Sequence, residues 1–166
     1  MSGTNVQRGE GALAEAMTGI FQVAYVTTDI ESGREAARKL LGAQDFINAD
    51  ATFDVVDYDG KKLDDLRLKL SFAFDRRLEI IEPVYDSFNV FAVAPPEADE
   101  PMVFHHTAAR VSDLKPALDE CRERELSVVR LQTPESATEM PQLDVAFIDL
   151  RALANHSLEL LAPRST

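Results

Sequence analysis

Hydrophobic and polar positions along the chain fall into two successions of the same kind. Ile20 to Thr27 (IFQVAYVT) is rich in β-branched and aromatic residues and follows a glycine, which predicts a strand. Thr28 and Asp29 then offer helix caps, and Glu31 would complete a capping box with Thr28. Gly42 closes a helix carrying Ala36, Ala37, Leu40 and Leu41. Short strands are expected around Asp45 to Asn48 and Phe53 to Tyr58, ahead of an Asp59-Gly60 turn. In Leu66 to Phe74 the residues Leu66, Leu68, Leu70, Phe72 and Phe74 share one face, as a strand requires. Leu78 to Val84 reads as a further strand that Pro83 ends or sends to an edge.

Asp86 to Pro101 changes to Pro, Ala and acidic residues and reads as a connector that could also lid a pocket. The first order then returns: a strand over Val103 to Val111, a helix from Asp113 to about Glu125 and a strand over Ser127 to Gln132. A loop from Thr133 to Pro141 leads to strands over Asp144 to Leu150 and His156 to Leu161. Residue offsets support a duplication. FQVAYVTTDIE from Phe21 aligns with HHTAARVSDLK from His105, 84 residues on, and RLEIIEP from Arg77 aligns with SLELLAP from Ser157, 80 residues on. The chain therefore divides into an N-terminal arm (1–19), with the stretch up to about Gly11 expected to be mobile, a first βαβββ module with its connector (20–100) and a second module (101–166).

Composition narrows the class of partner. The 166 residues include 29 Asp and Glu against 17 Lys and Arg, and the formal charge of −12 repels phosphate backbones and anionic lipid surfaces. Nucleic acid and membranes are not expected partners. The single cysteine cannot close an internal disulfide and the polar start carries no export signal, so a cytoplasmic location is expected.

One polar residue stands in otherwise apolar surroundings in the first and last strand of each module: Gln22 and Glu79, then His106 and Glu159. Alternation places Gln22 with Ala24 and Val26, Glu79 with Ile81, His106 with Phe104 and Ala108, and Glu159 with Leu161. An isolated strand Glu is most often solvent-facing, and Glu82 is read that way. Two carboxylates at equivalent repeat positions among leucines and isoleucines, however, call for pairing, hydrogen bonding or a cation. Arg151, before the last strand, could bind an anionic substrate group but reads more readily as an ion-pair residue. Phe88 and Phe91 could cover an apolar substrate or simply pack. His156 and Cys121 read as structural.

With FQVAYVTTDI and its following helix and glycine, RLEIIEP, HHTAARVSDL and SLELLAP, the chain resembles the vicinal oxygen chelate superfamily, over about Ile20 to Pro163. That superfamily includes glyoxalase I, methylmalonyl-CoA epimerase, extradiol dioxygenases and bleomycin-resistance proteins. The resemblance implies an α+β fold: two tandem βαβββ modules forming a curved, mostly antiparallel, cup-shaped sheet. It also implies a divalent metal held by Gln22, Glu79, His106 and Glu159. An iron dioxygenase typically wants two histidines with one carboxylate, and Gln22 stands where the first would be, so that reading ranks last. The Gln, Glu, His, Glu set looks like that of some zinc-using glyoxalases I. A metal-dependent isomerase, epimerase or lyase is therefore expected, with zinc first and nickel, cobalt or manganese as alternatives. Glu159 is the expected base and Glu79 the alternative. The substrate would be a carbonyl compound, a thiol conjugate or an acyl-CoA. The rival is a non-catalytic binder of the bleomycin-resistance kind. The resemblance also implies a homodimer, with the modules pairing either within a chain or across chains.

Overall fold

The computed structural model describes residues 11–92, 100–138 and 140–164; most of the expected mobile stretch lies outside them. In chain order the elements are α1 (Ala12–Thr18), β1 (Ile20–Val26), α2 (Ile30–Leu41), β2 (Ile47–Val56), β3 (Lys62–Ala73) and β4 (Leu78–Asp86). They continue with β5 (Val103–Arg110), α3 (Lys115–Glu123), β6 (Val128–Gln132), β7 (Leu143–Asp149), α4 (Arg151–Ala154) and β8 (Ser157–Pro163). The strands close into one barrel in the order β1-β4-β3-β2-β6-β7-β8-β5. β1 pairs with β4, and β5 with β8, in parallel, while the other neighbours are antiparallel. This is the expected paired βαβββ fold, with the two modules closing on each other inside a single chain.

Alternation along each strand divides the apolar residues between an inner face and an outer one. Inward residues such as Ala51, Leu68, Leu70, Ile81, Leu131, Val145 and Phe147 form the main core and wall the barrel interior. On β8, Leu158, Leu160 and Ala162 point the other way and pack under α1 and α3. On β4, Leu78 and Ile80 pack with Ala37 of α2. Helix α2 comes close to the sheet because Gly33 faces it: a Cβ there would lie 2.9 Å from Ile80 Cγ2.

Several elements differ from the sequence reading. The expected strands around Asp45 to Asn48 and Phe53 to Tyr58 are one strand, β2, because β3 pairs with it from Ile47 to Val56 and overrides the weak β-propensity of Asn48, Ala49 and Asp50. Helix α1 lies in the segment assigned to the arm; Ala16 is buried and the Leu13 amide donates to Glu120 of α3 at 3.0 Å. Helix α3 is shorter than expected, and α4 was not expected. Asp29 alone caps α2, accepting from the Ser32 amide, while Glu31 pairs with Arg34 instead of completing a box. Glu82 is not a free surface carboxylate: it accepts from the Ile30 amide at the start of α2 and from Lys69. Among the described residues no helix is long and apolar enough to cross a membrane.

Candidate metal centre

The site is built where β1 and β5, the first strands of the two modules, lie antiparallel. Their register skips a residue twice. Phe21 has no partner between the pairs Ile20↔Ala109 and Gln22↔Ala108, and His105 has none between Ala24↔His106 and Tyr25↔Phe104. An extra residue in a strand disturbs the alternation and lets neighbours turn to the same side. His105 and His106 are accordingly both buried, and Phe21 and Gln22 both line the central cavity. Phe104 is turned outward by the same shift, against Tyr25 and His156, and does not share the face of His106 as simple alternation had it.

Register then brings the polar residues together. Glu79, Ala24 and His106 form one row across β4, β1 and β5, and Glu159, Ala108 and Gln22 form the next across β8, β5 and β1. The internal repeat relates the two rows, and each has a fully buried alanine at its centre. That small side chain leaves space between the longer polar groups on either side.

Within this space His106 Nε2 lies 3.3 Å from a Glu159 carboxylate oxygen and 3.6 Å from one of Glu79, yet neither contact has hydrogen-bond geometry and Nε2 is buried without a partner. The ligand atoms of Glu79, His106 and Glu159 all lie within 4.8 Å of one another. Burial raises the pKa of Glu79, with the negative charge of Glu159 adding to it and His106 opposing. Burial alone would lower the pKa of His106, but the carboxylates of Glu159 and Glu79 outweigh it and lift the value to about 9.

The other edge of His106 is held firmly. Its Nδ1 is 2.9 Å from His105 Nδ1, and His105 Nε2 is 2.9 Å from the carbonyl oxygen of Val90. A carbonyl only accepts, so His105 Nε2 carries the proton and donates. Burial and the neighbouring His106 lower the pKa of His105 to about 4, so its Nδ1 is free to accept from His106 Nδ1–H. That arrangement holds the proton on Nδ1, so that once Nε2 is deprotonated its lone pair is aimed between the two carboxylates, the state in which imidazole binds a metal. Val90 is itself fixed, because the Asp86 carboxylate accepts from the amides of Val90 and Phe91.

The residues fit a divalent ion. An orphaned buried nitrogen and two buried carboxylates form a mixed N/O donor set suited to zinc and its neighbours. Ligand atoms about 2.1 Å from a common tetrahedral centre are separated by about 3.4 Å, close to the observed spacings. Gln22 is buried beside the group; its amide nitrogen donates to the Arg76 carbonyl at 2.9 Å, which leaves Oε1 as its remaining donor atom.

Gln22, Glu79 and Glu159 line a cavity of about 560 Å³ inside the barrel whose other walls are mostly aliphatic and aromatic. Of the residues considered for substrate contact, Phe91 lines it, 3% exposed, and packs on His105 and Phe147 at 5.1 and 5.2 Å between ring centres. Phe88 does not: it borders a separate shallow pocket with Tyr58 and Arg122. Arg151 also lies outside the cavity lining, in an ion pair with Asp149. Cys121 is buried in α3 and burial raises its thiol pKa to about 11, consistent with packing. His105 has a role that strand alternation does not predict. Its only signal was standing next to His106, and the irregularity that buries it is invisible in alternation.

No protein-family model and no curated protein matches the chain. Among solved structures it is similar to methylmalonyl-CoA epimerase from Mycobacterium tuberculosis, with 16% identity, a TM-score of 0.52 and 89% of each chain covered. It is also similar to a Streptomyces coelicolor methylmalonyl-CoA epimerase variant in complex with 2-nitronate-propionyl-CoA. There the identity is 14% and the TM-score 0.50, over 88% of this chain and 97% of that one.

Proposed function

From the fold shared with those epimerases, we propose that the protein is a metal-dependent isomerase or epimerase of the glyoxalase-like class, moving a proton on a carbon next to a carbonyl group. One observation carries the reading: His106 Nε2, buried and unpartnered, faces two buried carboxylates at the wall of an apolar cavity. Two carboxylates buried together call for a cation between them: the protonated imidazole in the metal-free chain, a divalent ion in the loaded one.

Glu79, His106 and Glu159 would hold the ion, with Gln22 Oε1 as a fourth donor; zinc is first choice, with nickel, cobalt and manganese as alternatives. A divalent ion bound there supplies Lewis acidity, which makes a proton beside a carbonyl easier to remove without a redox change. The chain's own residues do the rest. His105 keeps the His106 proton on Nδ1. Phe91, Phe147 and the aliphatic walls keep water from the reacting carbon. Glu159, released from the ligand set, would take the proton, and Glu79 is the alternative base, since the two occupy equivalent positions in the repeat. Carbonyl compounds, thiol conjugates and acyl-CoA esters are the substrate classes to screen.

The test is elemental analysis of chelator-free protein beside Glu79→Ala and Glu159→Ala. The reading predicts about one divalent ion per chain, lost in both variants. Solvent-deuterium exchange into candidate carbonyl substrates should then separate Glu79→Gln from Glu159→Gln by which one abolishes exchange. A wild-type chain that fails to take up added zinc, nickel or manganese refutes the reading and leaves a metal-free ligand binder.

A further inference from the structure

The cavity that holds the carboxylates also carries two cations. Arg76, in the turn before β4, has its guanidinium carbon 5.5 Å from the centre of the Phe72 ring, and that of Arg110, at the end of β5, lies 3.9 Å above Phe21. All four residues line the cavity, and both arginines are exposed. Of the other described arginines, Arg34, Arg38, Arg124, Arg130, Arg151 and Arg164 are in ion pairs, while Arg67, Arg77 and Arg122 are not but lie outside the cavity lining. Among the described residues Arg76 and Arg110 have neither a carboxylate partner nor a side-chain hydrogen bond. Stacking on an aromatic face holds a guanidinium in place while its N–H donors stay free.

We propose that Arg76 and Arg110 form an anion-binding rim, so that the cavity takes an amphipathic molecule with an apolar body and a single carboxylate. Arg110 pairs with Leu161, two residues beyond Glu159, so its backbone lies roughly 7 Å along the strand from that residue, while Phe72, under Arg76, pairs with Glu79. The two guanidiniums thus flank the carboxylate site and offset the repulsion that Glu79 and Glu159 would exert on an anionic ligand. Arg76 and Arg110 are the only cationic side chains among the described residues that line the cavity, which suits one carboxylate and narrows the substrate classes above to those with a carboxylate end. This deepens the proposed function by naming the substrate class, and it rests on that reading only for what happens at the metal site.

The test measures binding of the fluorescent fatty acid cis-parinaric acid and its uncharged methyl ester to the full chain, first in EDTA and then with zinc added. In EDTA the wild type should bind the acid about tenfold more tightly than the ester. Arg76→Gln combined with Arg110→Gln should erase that preference while ester affinity stays within about twofold, which shows that the cavity is intact. A preference absent from the wild type, or one that survives the double substitution, overturns the rim. So does a loss of ester binding equal to that of the acid. If the preference appears only with zinc and ignores the arginines, the carboxylate is held by the metal: the rim falls and the metal reading stands. Failure to take up zinc would sink the metal reading and leave the EDTA result untouched.

Discussion

Removing metal should reverse the sign of the protein's pH dependence of stability between pH 6.5 and 9. In the metal-free chain His106 sits between two carboxylates that lift its pKa from 6.5 to about 9. Because the folded value is above the unfolded one, folding takes up a proton. The stabilisation is complete below pH 6.5 and is lost as pH rises through about 9. Burial also raises the pKa of Glu79, so its contribution likewise falls as pH rises through its folded value. At 1.36 kcal/mol per unit, the His106 shift amounts to roughly 3 kcal/mol. For a chain of this size that corresponds to roughly 6–12 °C in Tm. His105, with its value lowered to about 4, acts only below pH 6.5 and does not confuse the window. The assay is thermal unfolding in EDTA across this range, wild type against His106→Gln. The wild type should fall steeply relative to the variant. Zinc-loaded protein should gain stability over the same range, because its ligands must be deprotonated. A metal-free wild type that parallels His106→Gln refutes the assignment of a charged imidazole between two carboxylates.

Other perturbations test the supporting structure. Gly33→Ala should destabilise by about 1–3 kcal/mol in chemical denaturation, although alanine is the better helix former, because its Cβ would press on Ile80 and Thr27. His105→Ala should weaken zinc binding in a competition titration by about 10–100-fold, since it frees the His106 ring to take the wrong tautomer. Phe91→Ala should cost about 3–5 kcal/mol in the same denaturation assay, as expected for a buried ring packed on His105 and Phe147. A change under about 1 kcal/mol would show that the connector is not part of the core.

The amino-acid sequence by itself determined the duplication, the βαβββ order of each module and the four polar positions. These are local properties: strand alternation, capping residues and a constant offset survive in a linear string. That Glu79 shares a face with Ile81, and Glu159 with Leu161, follows from period-two alternation and holds in the folded barrel. Only the tertiary structure decided what depends on neighbouring strands. The continuity of β2 comes from its pairing with β3, and the role of Glu82 from where α2 happens to begin. The unpaired residues Phe21 and His105 exist because two strands of unequal register lie side by side, and no periodicity in either strand encodes that mismatch. The same mismatch buries His105 against the connector and brings Phe21 under Arg110, so the orientation of His106 and the cationic rim follow from strand pairing across the two modules.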